Sequence, residues 1–327
     1  DVERLLEGVA FLTGMVRQRL DDEFPEFIQE LAQLLYPHYL QPLPCMTLLQ
    51  FQPRAALQAP VHIEAGCEVF SVPVDGQRVR FRSTAPVDLE PLQLLSSQWE
   101  GGSGQERSIV LNFSLTVANP NDWKSDSLRF YLGGGLADAS KLMRLLQLNL
   151  REIRIAAPGQ PVTLLPAKYL RSVGFDTNNQ LLPFPNNAHP AYRCLQEYFA
   201  LPEKFLFVEL SGFQQWHARE AGGQFSVRLM FENLPDWTME LSSNSFMLGV
   251  TPAINLFNQQ AHPLRIDHKQ TDYRIQPADH GQRMSIRIHS ILNVSAYVAG
   301  DGERPLKQFN TFSQHDTYNL RIRASSI

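Results

Sequence analysis

Cysteine is scarce in this 327-residue chain: three residues, at 45, 67 and 194, an odd number set far apart with no C-x-x-C pair. Such spacing argues against a disulfide framework and against a zinc site, and it suits a reducing compartment. Charge is also sparse, at 19% of residues, and the net value of -4 leaves no basic footprint for nucleic acid or an anionic membrane. Long apolar runs are missing as well. The longest stretch without a charged residue, Leu241 to Leu264, holds Asn244, Asn255, Asn258, Gln259, Gln260 and two prolines, too polar to span a bilayer. No signal-peptide pattern opens the chain, and it starts at Asp1 rather than Met, so residues are expected to precede it.

Catalytic signatures are missing in the same way. There is no G-K-[ST] of a P-loop, no G-x-G-x-x-G after a strand, no G-x-S-x-G elbow and no H-E-x-x-H. Nine histidines are scattered, and the nearest approach to a ligand set is His262, Asp267 and His268 in "HPLRIDH". Adjacent residues in a strand point to opposite faces, so Asp267 and His268 make a poor pair of ligands. "YLGGGLADASKLMRLL" places three glycines, 133 to 135, between a strand and a helix. A phosphate can sit on such a helix start, but a tight strand-to-helix turn explains the glycines as well. Trp99, Trp123, Trp216 and Trp237 offer stacking platforms for sugars, although such residues more often pack in cores.

What remains is strong structural order. Hydrophobic residues make up 43% of the chain, a globular composition with length for about two domains. Val2, Leu5, Leu6, Val9, Leu12, Val16 and Leu20 recur at helical spacing. A second helix is expected from Asp22, where Asp21, Asp22 and Glu23 favour a helix start and Pro25 falls in the first turn. Phe24, Phe27, Ile28, Leu31, Leu34 and Leu35 form its apolar stripe, and Pro37 ends it at Tyr36. After Pro44 the period falls to two. Ile109–Val117, Leu128–Leu132 and Phe225–Phe231 read as half-buried antiparallel strands. Further strands are expected at 47–52, 61–71, 79–83, 151–156, 205–210, 265–267, 273–275, 284–291 and 294–298, with helices at 136–150 and 191–199.

Several blocks carry a family likeness. "DVERLLEGVAFLTGMVRQRLDDEFPEFIQELAQLLYPHYLQPLPCM" resembles the N-terminal region of the TssF (VasA/ImpG) family of type VI secretion baseplate proteins. "LRFYL" (128–132), "LLPFP" (181–185), "EYFALPEKFLFVELSGF" (197–213), "FENLP" (231–235) and "TPAINLF" (251–257) follow in the family's order, with a looser likeness from Asp272. The resemblance implies a wedge subunit of a contractile injection machine without catalytic residues, metal or cofactor. It implies two copies pairing with one TssG, and assembly with TssK, TssE and the spike hub. The implied location is cytoplasmic, at the inner face of the inner membrane, without membrane insertion or nucleic acid.

Together these readings give an α+β chain with an N-terminal helical pair followed by mostly antiparallel, β-sandwich-like domains. The expected division is 1–44 helical, 45–240 β-rich with two helices, and 241–327 a linker and the start of a further, truncated β-rich domain. A helix as apolar as 22–36 is marginal in water and must be covered. Phe24, Phe27, Ile28, Leu31, Leu35, Tyr36 and Tyr39 are therefore the candidate partner-interface residues, against the plainer expectation that this stripe packs on the chain's own β-rich part. The runner-up functions are a carbohydrate-active or lectin-like module and a contractile-phage baseplate protein.

Overall fold

The computed structural model describes residues 2–36, 39–74, 76, 78–101, 107–117, 120–176, 179–183, 189–217, 223–235, 237, 239–267, 269, 273–278, 286–298, 302–308 and 319–320. Its elements, in chain order, are α1 (Val2–Leu35), β1 (Met46–Gln50), β2 (Val61–Ile63), β3 (Glu68–Phe70), β4 (Arg80–Ser83), β5 (Val87–Leu89), β6 (Leu92–Glu100), β7 (Ser108–Leu115), β8 (Leu128–Tyr131), α2 (Leu136–Leu148), β9 (Leu150–Ala156), β10 (Thr163–Pro166), β11 (Leu170–Ser172), α3 (Pro190–Ala200), β12 (Phe207–Leu210), β13 (Gln224–Phe231), β14 (Val250–Ile254), β15 (Val294–Val298), β16 (Gly302–Gln308) and β17 (Asn319–Leu320). The chain is a mixed α+β fold, mostly strand, and among the described residues every strand pair is antiparallel except β16 with β17. It forms two compact units. One holds Pro44–Pro183 and Ala191–Asn258; the other holds Asp1–Leu43, Phe184–Pro190 and Gln259–Ile327.

The first unit is built on a five-stranded sheet ordered β10-β9-β13-β7-β6. Its central strand, β13, turns Phe225, Val227, Leu229 and Phe231 to the core at period two. Phe225 lies directly opposite Phe113 of β7, and the two rings stack at 5.0 Å. Trp123, Phe213 and Trp216 close around the same ring at 5.7, 6.3 and 4.8 Å. A three-stranded sheet, β11-β12-β8, and the buried face of α2 (Ala139, Leu142, Leu145, Leu146) complete the cluster. A second sheet system, β1-β14-β4-β3, joins residues about two hundred positions apart in sequence: Met46 pairs with Ile254 and Gln50 with Val250.

The second unit holds α1, the ladder β15-β16-β17 and an irregular segment after Gln259. Here the expected helical pair is corrected, because Val2–Leu35 is one helix of 34 residues, about 51 Å long. Pro25 lies in its interior rather than in a first turn. Proline there removes one backbone bond and costs roughly 3 kcal/mol. Continuing the helix forms the remaining backbone bonds between the two stretches and carries both apolar stripes along one rod. The end before Pro37 stands as expected, with the Tyr36 amide donating to the Ala32 carbonyl at 2.7 Å.

Four expected strands are also corrected, and the first, 61–71, is broken by a turn at Gly66 into β2 and β3, which join different sheets. Residues 265–267 and 273–275 are irregular; the positions flanking them are joined by the His262 amide donating to the Gln276 carbonyl and the Ala278 amide to the Gln260 carbonyl. Pro263 and Pro277 deny a ladder its donors there. Residues 286–291 form no strand, and 284 and 285 lie outside the described residues. Conversely β6, nine residues long, has no clean alternation, because its register shifts between Leu94 and Ser96.

Candidate interaction surfaces

The large apolar residues of α1 whose side chains are described are open to solvent. Val2, Leu5, Leu6, Val9, Leu12 and Val16 are exposed, Leu5 at 70% and Val16 at 60%. Of the interface candidates, Ile28, Leu31, Leu35, Tyr36 and Tyr39 are exposed, with Leu31 at 42% and Tyr39 at 68%. The side chains of Phe24 and Phe27 lie outside the described residues. Tyr36 and Tyr39 meet edge to face at 6.2 Å, fixed by the Tyr39 amide donating to the Tyr36 carbonyl. The helix also exposes Phe11 and Met15, off the main stripe. The spacing of the first half of this surface is equally that of a core-facing helix.

α3 carries a second exposed surface by reversing the usual polarity of a helix. Its inward residues are Arg193 and Glu197, while Leu195, Tyr198 and Phe199 face solvent. The Glu197 carboxylate accepts the Leu181 and Leu182 amides at 2.9 and 3.0 Å through Oε1 and pairs with Lys204 through Oε2. Arg193 Nε lies 3.8 Å from Oε1. Glu197 is 1% and Lys204 4% exposed. A buried carboxylate is tolerable only with such a full set of partners. The arrangement ties the start of "LLPFP" to "EYFALPEKF" and leaves an aromatic ridge outside, where Tyr198 and Phe175 flank Phe205 at 5.8 and 4.7 Å.

The remaining sequence candidates are structural. The glycine turn before α2 is packed by backbone: a Cβ on Gly133 would meet the Asn244 carbonyl oxygen at 2.5 Å, and Gly134 and Gly135 hold φ of 91° and 104°. Trp123 is fully buried and donates to Glu90 at 2.8 Å, Trp216 is buried beside it, and Trp99 donates to the Met239 carbonyl at 3.0 Å. Trp237 packs half-buried against the same core. Trp123 and Trp216 are therefore core residues with no face open for stacking. Asp267 accepts from the Tyr273 hydroxyl at 2.8 Å, and His268 lies outside the described residues. Among the described residues no group of three or more His, Cys, Asp or Glu is placed to hold a metal. Cys45, Cys67 and Cys194 are free thiols. His62 sits opposite Asp88 across the β2–β5 ladder, Nδ1 to Oδ1 2.5 Å, and that carboxylate raises the imidazole above its ordinary value. No described helix is long and apolar enough to cross a membrane.

Comparison with known proteins places these surfaces in context. The family model "Type VI secretion system, TssF" matches residues 1–323. The type VI secretion system component TssF1 of Pseudomonas aeruginosa PAO1 is 32% identical over 94% of this chain and 53% of its own length. A chain of the type VI secretion system TssK–TssF–TssG baseplate subcomplex, solved by cryo-electron microscopy, superposes with a TM-score of 0.74 at 28% identity. That match covers 85% of this chain and 53% of the other. The chain spans about half the length of the relatives it matches.

Proposed function

The chain belongs to the TssF family of the type VI secretion system, and from that premise we propose that it is a structural wedge subunit of the baseplate. It works by holding other chains rather than by catalysis. The observation that carries this reading is the exposed apolar face of α1. Six large apolar side chains on its first half stand in solvent, and each is worth roughly 1.5–3 kcal/mol on full burial. An unpartnered face of that size marks a protein interface.

Phe24, Phe27, Ile28, Leu31, Leu35, Tyr36 and Tyr39 form the second half of that interface, with the two tyrosines at its rim. TssG and TssK are the first partners, since the similar solved chain belongs to a complex with both. Two copies per TssG, contacts with TssE and the spike hub, a role in starting the contractile sheath, and a cytoplasmic position against the inner membrane complete the reading. The test is co-expression with a TssG chain and size-exclusion chromatography. A joint peak that dissolves when the α1 face is made polar is the expected result. Separate elution of the two unaltered chains overturns the proposal.

A further inference from the structure

The order β1-β14-β4-β3 leaves β3 as an outer strand of its sheet. It pairs with β4 in the register Glu68↔Arg82, Val69↔Phe81 and Phe70↔Arg80. The pairing continues past both ends: the Ser83 amide donates to the Cys67 carbonyl and the Ser71 amide to the Val79 carbonyl, each at 2.9 Å. Cys67, Val69 and Ser71 therefore turn their backbone groups toward β4, and antiparallel alternation turns those of Glu68 and Phe70 the other way. Among the described residues no backbone group pairs with that outer edge.

Opposed residues share a face, so Glu68 and Phe70 stand with Arg80 and Arg82, and the same alternation adds Val72 and Arg78. Phe70 is 57% and Val72 79% exposed. Arg80 lies over the Phe70 ring, Cζ 5.7 Å from its centroid, with Nη1 3.6 Å from Glu68 Oε1. Its charge is thus carried across to β3, beside the open edge. Arg78 and Arg82 are exposed and have no ion-pair partner among the described residues. The face therefore sets three arginines against one glutamate in a chain whose net charge is -4. On the opposite face Val69 and Phe81 are half-buried.

We infer that β3 is extended by a strand of another protein, one in which acidic side chains alternate with apolar ones. Main-chain bonds to Glu68 and Phe70 hold the added strand, and its side chains supply the selectivity. Its apolar residues fall beside Val69, and its acidic residues fall beside Phe70, toward the arginine row. A second copy of the same hairpin would bring two arginine rows together, which is unfavourable. An anionic membrane suits the arginines and Phe70 but not the edge, because unpaired peptide groups resist transfer into lipid. β3 belongs to the first compact unit and α1 to the second, so this surface goes beyond the baseplate reading and stands without it.

Fluorescence anisotropy of a labelled peptide of alternating valine and glutamate, titrated with the full chain, tests this. The peptide is expected to bind at least about tenfold more tightly than the same residues arranged in two blocks, or than a valine–lysine counterpart. Arg78→Glu together with Arg82→Glu weakens binding at least about tenfold at low salt, with the difference shrinking at high salt. Phe70→Pro removes the outward N–H without taking a bond from β4, whereas Phe70→Ala keeps that N–H. The proline variant is expected to bind at least about fivefold more weakly than the alanine variant. Circular dichroism checks that each variant keeps its fold, and if the proline variant does not, the alternating and block peptides decide the matter. Equal binding of those two peptides, equal binding by the two folded Phe70 variants, or no binding at all overturns strand addition. Undiminished binding by the double glutamate variant overturns the acidic partner. Binding to phosphatidylserine vesicles in preference to the peptide assigns the face to a membrane and overturns the proposal.

Discussion

Glu197 sits where an amphipathic helix would ordinarily place a leucine, and its partners decide whether it can stay there. Two amides, a lysine and an arginine converge on one carboxylate that is almost wholly enclosed. Lys204→Met leaves that charge short of its closest cation, and breaking one side of a buried pair costs about 3–5 kcal/mol. Glu197→Gln keeps an acceptor for the Leu181 and Leu182 amides, so adding it to Lys204→Met is expected to recover part of the loss. Chemical denaturation of the single and double variants checks this. A loss below about 1 kcal/mol for Lys204→Met, or simple additivity, means the pair is not coupled. None of this was legible beforehand. Tyr192, Leu195, Tyr198 and Phe199 mark an apolar side of α3, and periodicity reports that a side exists without saying that it faces out. By contrast Gly133 was readable as a tight turn from the strand and helix around it.

At the scale of elements, period two locates β7, β8 and β13 well, and expected strands also form at sheet edges, as in β1 and β15. β7, β8 and β13 lie where Ile109–Val117, Leu128–Leu132 and Phe225–Phe231 alternate, because each has neighbours on both edges or a bridge to a further segment. The segment at 286–291 alternates as well and forms no strand, since alternation names a face and not a partner. Asp21–Glu23 and Pro25 carry helix-start chemistry, which divides α1 in two on sequence alone; the length of the rod and the exposure of its described apolar residues come from the structure. That exposure fixes the expected behaviour of Leu31→Asp. Leu31 is open in this chain, so the charge stays solvated and the melting temperature of the isolated protein moves little. In a complex that covers the face, the same charge is buried, and binding to TssG weakens by at least about 2 kcal/mol, roughly thirtyfold. Tyr39→Ser, at the rim, follows the same direction with a smaller loss. A thermal melt beside a titration separates the effects, and equal destabilisation of the free chain by Leu31→Asp would place Leu31 in an internal core.

At the scale of the molecule, the first unit is closed by strands from its two ends. β14 lies second in the order β1-β14-β4-β3, and all five of its residues are buried. Around it the Phe51 amide donates to the Gly249 carbonyl, the Asn255 amide to the Cys45 carbonyl, and the Thr251 hydroxyl to the Ala85 carbonyl at 3.0 Å. Gly249 holds φ of 71° with a Cβ position only 2.5 Å from the Phe51 carbonyl oxygen, so the chain can pass there only as glycine. No local signal announces a pairing across about two hundred residues, and the boundary expected near 240 falls before β14. The two readings of the boundary, near 240 or after Asn258, predict opposite outcomes for truncation. A chain ending at Asn244 loses Phe246, Val250, Ala253 and Ile254 from the core. At roughly 1.5–3 kcal/mol for each large side chain, with the ladder bonds besides, that is comparable to the whole 5–15 kcal/mol stability of an ordinary domain. A chain ending at Asn258 keeps every one of those contacts. The expected result is a soluble, cooperatively melting, protease-resistant core for the Asn258 form and an aggregated or rapidly digested product for the Asn244 form. If both forms resist protease equally, the closing role of β14 fails and the core ends before it.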